Sequence, residues 1–235
     1  MNYSILLAVL ATAFADSSEA ADYRLPFDGQ WFVMAGGDTP NVNHHFRVVS
    51  QWYGVDFMKT GGLGNRELTK GSGNAVGNYF SWRQPVLSPV NGVVRKVLDG
   101  QPDNPVGVRN LKNPFGNYVV IEAGPKEFVY LAHFQKGSVV VQEGGRVKAG
   151  QLLGKCGNSG NTDGPHIHMH VQDQLKLFAG RGQNITFKGI DVLLSHKQFV
   201  NVDWPLIQGL FVSHGKASQK AAGLNGESAE ADSNE

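Results

Sequence analysis

Residues 144–171 read GGRVKAGQLLGKCGNSGNTDGPHIHMHV, and this stretch decides the fold. Its glycines separate short β-rich runs at positions where tight turns need a positive φ. The final run alternates histidine with apolar residues. Because alternate residues of a strand face the same side, we predict a strand that carries His166, His168 and His170 on one face and turns the apolar residues between them toward the core.

The flanking sequence repeats this pattern of short runs. Each run is rich in β-branched or aromatic residues and closes on Gly, Pro, Asn or Asp, as strands and turns do. The runs are QWFVMAGG (30–37), YGVDFM (53–58), NGVVRKVLDG (91–100), NYVVIEAG (117–124), EFVYLAHF (127–134), SVVVQEGG (138–145), LLGKCGNSG (152–160) and FKGIDVLL (187–194). We therefore predict an all-β, antiparallel fold. Residues 60–80 and 99–117 are rich in Gly, Asn and Pro and are predicted to be long loops.

Two segments indicate the kind of β core. Residues 89–94 (PVNGVV) and 144–154 each describe a strand, a glycine-containing turn and a second strand. Similar sequences occur in barrel-sandwich domains that carry lipoyl or biotinyl groups. Such carriers present a lysine at a turn tip between methionines, which this chain lacks, so a carrier function is disfavoured.

The two ends differ in composition from the middle. Residues 3–14 are almost wholly apolar but too short to span a bilayer, which needs about 20 residues, and small residues follow at Ala15 and Ala21. We interpret residues 1–21 as a signal peptide cleaved after Ala15 or Ala21, the alternative being a buried N-terminal helix. Residues 216–235 are polar and acidic, which predicts a disordered tail. The domain between them is predicted to span 22–215, in an exported protein.

Charge and cysteine content limit the chemistry. The net charge is +1 without a basic block, which argues against a protein that binds nucleic acid. The single cysteine, Cys156, can form neither an internal disulfide nor a cysteine-rich zinc site, and it is predicted to fill core space. A bound metal must therefore be held by histidine and carboxylate.

The histidines and one acid supply such ligands. His133 ends the run LAHF, His44 and His45 follow Asn43, and Asp56 lies inside the apolar run YGVDF. An acid there is costly to bury unless it is paired or bound to a metal. Two histidines and one aspartate, with a fourth position open to water, are the ligands of a catalytic zinc.

Taken together, these motifs resemble the lysostaphin-type, or LytM-like, zinc metallopeptidases, which cut peptide cross-links of bacterial peptidoglycan. The resemblance covers residues from about 36 to about 171. It rests on PV.G.V, GN.V.I and LAHF, and most specifically on GG.V..GQ..G..GNSG...GPH.H between Gly144 and His168. It implies an antiparallel β-sheet with a barrel-sandwich hybrid core and long loops around a groove.

The resemblance also implies roles for individual residues. Asp56 and His168 would bind zinc, while His133 and His166 would orient the water and stabilise the transition state. Most members have the first zinc ligand four residues before the aspartate, where this chain has Trp52. A subgroup has Asn-x-His upstream instead, which indicates His45 as the first ligand and leaves His44 as the alternative. His170 is predicted to support the site or line the groove, without binding metal.

Two functions follow from this resemblance. The first is an exported zinc metalloendopeptidase that acts on a peptide, most simply in peptidoglycan. The second is a non-catalytic relative that binds peptidoglycan or regulates another hydrolase. Relatives of the second kind usually lose several site residues, whereas Asp56, His133, His166 and His168 are all present. The sequence does not identify the bond that is cut. His196 and His214 lie outside the matched motifs and are predicted to be surface residues.

Overall fold

The computed structural model describes residues 21–62 and 64–215. The predicted acidic tail and all of the predicted signal peptide except Ala21 lie outside these residues. Across the described ranges, no helix combines the length and the apolar character that crossing a bilayer requires.

The described residues form an all-β fold, which confirms the predicted class. Three short 3₁₀ helices (His44–Arg47, Val49–Gln51 and Val76–Asn78) lie in the connections. The strands are β1 Trp31–Ala35, β2 Val55–Lys59, β3 Pro85–Leu87, β4 Gly92–Leu98, β5 Asn117–Gly124, β6 Glu127–Phe134, β7 Arg146–Val147, β8 Leu152–Lys155, β9 Ile167–Gln172, β10 Phe187–Leu194, β11 Lys197–Trp204 and β12 Phe211–His214.

Ten of these strands form one sheet and two form another. The large sheet has the order β11-β10-β12-β1-β2-β9-β6-β5-β4-β7, and β3 pairs with β8. Every pairing between these strands is antiparallel. Side chains from both sheets, such as Val86, Leu153, Val119 and Leu131, belong to the same buried cluster. Burial of each such aliphatic side chain contributes about 1.5–3 kcal/mol.

Strand β9 lies between β2 and β6, and this position assembles the site. The register places His168 opposite Asp56 on β2 and opposite Ala132 on β6. Ile167, Met169 and Val171 belong to the core cluster, as their alternation with the histidines predicts. The opposite face of β9 is also covered, because His168 and His170 are both 2% exposed.

Residues 60–80 and 99–117 form the predicted long connections. At their described positions, which are all but residue 63, strand structure is confined to an isolated bridge and to the first residue of β5. The predicted strand over 138–145 is wrong: the structure has no strand at these positions. The Asp99 carboxylate accepts from the backbone N–H of Val139 at 3.0 Å. Val140 donates to Leu153 O of β8 and Gly144 to Val94 O of β4, two isolated bonds to different strands. Val139 and Val141 still pack against the core, so their burial produced a strand-like pattern without a ladder.

The C-terminal strands correct one further prediction. FKGIDVLL forms β10 as expected, and β12 inserts between β10 and β1. His214 on β12 is 5% exposed, so its predicted surface location is wrong, whereas His196 in the β10–β11 turn is exposed. Tertiary packing explains the difference: His214 Nε2 lies 2.9 Å from Phe27 O and 2.8 Å from Arg24 Nη2.

Candidate metal centre

The Asp56 carboxylate is the centre of a cluster of histidines. Its Oδ2 lies 2.9 Å from His45 Nε2 and 3.6 Å from His44 Nε2. Its Oδ1 lies 2.9 Å from His168 Nδ1 and 3.6 Å from His166 Nε2. Four imidazoles from two separate segments therefore meet at one buried acid on a third segment.

Asn43 explains why a histidine two residues later can reach Asp56. Its side-chain Oδ1 accepts from the backbone N–H of His45, and its Nδ2 donates to Gly37 O and Gly54 O. These bonds fasten the 3₁₀ turn to the start of β2. A Cβ at Gly54 would lie 3.3 Å from His45 Cγ and 3.4 Å from His168 Cε1, so the glycine leaves room for both rings.

Trp52 occupies the position of the usual ligand but has a different task here. Its ring stacks on Phe46 with centroids 5.2 Å apart, and its Nε1 donates to Phe46 O. Trp52 thus packs against the turn that carries His44 and His45. Trp52 therefore supports the segment that carries the candidate ligands His44 and His45.

The charges in this cluster depend on burial and on close contacts. Burial alone would raise the pKa of Asp56, but the imidazoles of His45, His166 and His168 hold that pKa well below its usual range. Burial lowers the pKa of His168 to about 3, with His45 adding to the effect. The centre therefore presents an ionised carboxylate beside a neutral His168, and both can donate electron pairs to a cation.

These donors fit zinc. Imidazole nitrogen and carboxylate oxygen are among its common ligands, and no thiolate is needed. His44, His45 and Asp56 each offer a ligand atom within 4.8 Å of the others. The set expected from the sequence, His45, Asp56 and His168, shares two of these residues and adds the nitrogen nearest to Asp56 Oδ1. His44 is less suited to a closed site because its side chain is 66% exposed, against 11% for His45.

His133 and His166 face each other beside this centre, with ring centroids 4.6 Å apart. The Nδ1 of His133 lies 2.7 Å from Ser159 O, and that of His166 lies 2.9 Å from Gly164 O. A carbonyl oxygen only accepts, so each Nδ1 carries the hydrogen. Each neutral ring then has an unprotonated Nε2.

A β-bulge orients His133. The pairing of β5 with β6 runs from Asn117–Phe134 to Tyr118–Ala132, which leaves His133 as the extra residue. Its φ is 67°, in the left-handed region that side chains other than glycine seldom adopt. Bulges redirect side chains near active sites, and here the bulged residue lines the groove. Burial lowers the pKa of His133 well below its usual value, reinforced by His166 and His168.

His166 differs from His133 in its electrostatic surroundings. Burial acts to lower its pKa, but Asp56 and the acceptor at Gly164 outweigh burial and raise the pKa above the ordinary value. Its Nδ1 also lies 3.0 Å from the hydroxyl of Thr162. The two histidines therefore have opposite pKa shifts within one site.

Asp56 and the five histidines around it, His44, His45, His133, His166 and His168, line an open groove of about 730 Å³. The loop 99–117 supplies Arg109 and Phe115 to its wall, and Met34 and Phe178 add apolar surface. Backbone bonds join this loop to the turn before β9, including Asn110 N–H to Gly160 O and Gly107 N–H to Asp163 O. Both sequence-predicted loops thus contribute to the groove, the loop 60–80 through Leu68 and Tyr79.

His170 lies behind the centre. Its Nδ1 is 2.9 Å from His168 Nε2, and its ring stacks on Tyr130 at 4.7 Å between centroids. The structure thus brings together all five residues predicted for the site and leaves His170 in a supporting position, away from the groove. The other nitrogen of His170, Nε2, lies 3.3 Å from Gln172 Oε1. Sequence reasoning missed Gly54, Ser159 and Gln172, because their contribution depends on three-dimensional contacts. Only Ser159, within the quoted GNSG motif, carried a signal.

Part of the chain is similar to proteins that are already known. Residues 77–183 match the sequence model of peptidase family M23, a segment that contains His133, His166 and His168. His45 and Asp56 precede it. The chain is 29% identical over 157 residues to the peptidoglycan DD-endopeptidase ShyA of Vibrio cholerae serotype O1, which covers 66% of this chain. The chain spans only 28% of that relative's length.

The solved structures with similarity to this chain include two catalytic domains. The catalytic domain of the prophage-encoded M23 protein EnpA from Enterococcus faecalis, determined as a mutant, gives a TM-score of 0.44 at 17% identity and covers 69% of this chain and 94% of that chain. The catalytic domain of lysostaphin from Staphylococcus simulans gives a TM-score of 0.37 at 18% identity and covers 66% of this chain and 87% of that chain.

Proposed function

We propose, from the premise that this chain carries a domain of peptidase family M23, that it is an exported zinc metalloendopeptidase that hydrolyses peptide bonds in peptidoglycan. One observation carries the proposal: His45, Asp56 and His168 converge in the lining of a groove, next to the facing rings of His133 and His166. The name of the ShyA relative supports peptidoglycan as the substrate.

In this proposal His45 Nε2, Asp56 and His168 Nδ1 hold the metal. A bound zinc ion supplies Lewis acidity and lowers the pKa of a coordinated water to about 7. Asp56 contacts His45 through Oδ2 and His168 through Oδ1, and these two contacts hold both rings in position. The burial of these ligands excludes competing water and strengthens their electrostatic interactions.

His133 and His166 move the protons. Because their Nδ1 atoms donate to backbone carbonyls, each presents Nε2 as the reactive nitrogen. An unprotonated Nε2 accepts a proton from the attacking water, and a protonated one donates to the oxyanion or to the leaving amine. Asp56 Oδ1, 3.6 Å from His166 Nε2, stabilises the positive charge when His166 is protonated.

The test combines metal analysis with hydrolysis of purified peptidoglycan. His133→Ala and His166→Ala should keep wild-type zinc content but lose activity by about a hundredfold or more, as expected for one general base or positioned donor. His196→Ala, in the exposed β10–β11 turn, is the control and should match the wild type. Loss of zinc in His166→Ala would make His166 a ligand and overturn its role.

The same experiment separates the alternative function. A wild-type protein that holds zinc and binds peptidoglycan but releases no new amino groups would be a non-catalytic binding or regulatory relative. Full activity in both histidine variants would refute the two-histidine mechanism.

Export is the remaining part of the proposal. A peptidoglycan substrate lies outside the cytoplasmic membrane, so the enzyme must reach it. N-terminal sequencing of the native protein should find Asp16 or Asp22, the residues after the two predicted cleavage positions. An intact Met1 on a cytoplasmic protein would reverse the assignment of both location and substrate.

A further inference from the structure

A line of buried polar side chains continues from His168 along its face of β9. His168 Nε2 lies 2.9 Å from His170 Nδ1, and His170 Nε2 lies 3.3 Å from Gln172 Oε1. His168 and His170 are 2% exposed, and Gln172 is fully buried. These three residues are here called the β9 relay. In each of its two contacts, one atom must carry the hydrogen and the other must accept it.

The amide of Gln172 fixes one end of the β9 relay. Its Nε2 donates to Gln174 O at 2.6 Å and to Lys176 O at 2.9 Å. Two carbonyl acceptors require both amide hydrogens on that side, so the amide cannot be reversed. The Oε1 atom therefore faces His170, and it can only accept a hydrogen bond.

The proton positions of both histidines follow from this end. His170 must donate from Nε2 to Gln172 Oε1, which leaves Nδ1 of the neutral ring as an acceptor. His168 must then donate its Nε2–H to that nitrogen. A neutral His168 that donates from Nε2 has no hydrogen on Nδ1, the atom that lies 2.9 Å from Asp56 Oδ1.

We propose that His170 and Gln172 are positioning residues that set the tautomer of His168, so that its unprotonated Nδ1 faces Asp56. In this arrangement His168 Nδ1 and Asp56 Oδ1 each present a lone pair and neither carries a hydrogen. They cannot form a hydrogen bond with each other, but both can bind a cation placed between them. This inference rests on the proposed function in one respect, that the cation is zinc. The groups that orient a ligand histidine usually act in this way, through the nitrogen that does not bind the metal.

Packing holds the middle of the β9 relay in place. The His170 ring lies 11° from parallel with the Tyr130 ring, at 4.7 Å between centroids, and Tyr130 is directly opposite it in the β6–β9 register. Phe115 lies 5.6 Å away between centroids. A ring enclosed in this way cannot turn to exchange its two nitrogens, so the direction of the relay is maintained.

Zinc affinity of the full chain, measured by competition with a chromophoric chelator, provides the first test. His170→Phe keeps an aromatic ring against Tyr130 but removes the acceptor, and should weaken zinc binding by about 10- to 100-fold. His170→Asn restores an acceptor near the Nδ1 position and should recover most of that loss. His196→Phe makes the same substitution in the exposed β10–β11 turn and is the matched control with near wild-type affinity. Unchanged affinity in a folded His170→Phe would overturn the proposal.

Nitrogen NMR of the metal-free wild type provides a test that requires neither zinc nor hydrolysis. The proposal predicts hydrogen on Nε2 of His168, with assignment by comparison with His168→Gln. Hydrogen on Nδ1 would overturn it, even if His170→Phe does not fold. A protein with the predicted tautomer but no affinity for zinc would uphold the relay and refute the proposed function.

Discussion

Gly116 lies against the backbone of Ser159 so closely that a Cβ on Gly116 would be 2.3 Å from the Ser159 carbonyl carbon and 2.3 Å from its oxygen. That carbonyl is the acceptor for His133 Nδ1. Gly116 also has a φ of 58°, which side chains seldom adopt. The loop 99–117 and the turn before β9 thus meet at a contact that orients a proposed catalytic residue.

We expect Gly116→Ala to displace Ser159 and with it the acceptor of His133. Overpacking of this kind should lower the free energy of unfolding by about 1–3 kcal/mol, and the misplaced imidazole should reduce hydrolysis by about a hundredfold. Urea unfolding and peptidoglycan hydrolysis measure the two effects. Gly107→Ala is the matched control: it has a positive φ in the same loop, but its Cβ would meet nothing within 4 Å. Equal effects of the two variants would show that backbone strain alone is responsible.

The first metal ligand can be identified by comparing His45→Ala with His44→Ala. His45 Nε2 lies 2.9 Å from Asp56 Oδ2 and is largely buried, whereas His44 Nε2 lies 3.6 Å away on an exposed side chain. We expect purified His45→Ala to contain almost no zinc and His44→Ala to keep close to one equivalent, as a three-residue site requires. Elemental analysis measures both. The reverse result would transfer the role to His44.

The turn before β9 should depend on a buried amide more than on a surface ion pair. Asn158 is fully buried; it donates to Asn104 O and accepts from Thr162. Asn158→Ala should therefore lower the free energy of unfolding by about 1–3 kcal/mol. Arg109 pairs with Asp163 on the surface, where such pairs contribute about 0–1 kcal/mol, so Arg109→Ala should have the smaller effect. Thermal or urea unfolding of both variants measures this difference in the free energy of unfolding. A larger decrease in Arg109→Ala than in Asn158→Ala would contradict the prediction.

Burial of His214 should make stability depend on pH. Burial and the neighbouring Arg24 lower the pKa of His214 below its ordinary value of 6.5. Protonation therefore favours the unfolded chain, so the contribution of His214 to stability is present above pH 6.5 and is lost as the pH falls toward its folded-state value. We expect the free energy of unfolding of the wild type to decrease more between pH 7.5 and 5.5 than that of His214→Gln. Parallel curves for the two proteins would contradict the prediction.

The local sequence pattern predicted strands well where the pattern and the hydrogen-bond ladder coincide. The alternation in β9 identified both the buried face and the histidine face, and the turn residues marked most of the other runs. It failed over 138–145 because Val139 and Val141 are partly buried against the core, while Asp99 accepts the Val139 N–H that a ladder would use. It also misplaced His214, whose burial comes from contacts with Arg24 and Phe27, far away in the chain.

For the candidate site, residue types limited the possible metal ligands to histidine and carboxylate, and strand alternation placed His166 and His168 on one face. The resemblance to lysostaphin-type peptidases then implied the individual members and their roles. What only the tertiary structure decided is how their atoms meet. The pairing of β2 with β9 places Asp56 opposite His168, and a bulge in β6 turns His133 toward His166. The carbonyls of Ser159 and Gly164 select the reactive nitrogens. These contacts join segments that are far apart in the chain. The direction of each hydrogen bond depends on the three-dimensional positions of atoms, which a local sequence pattern does not specify.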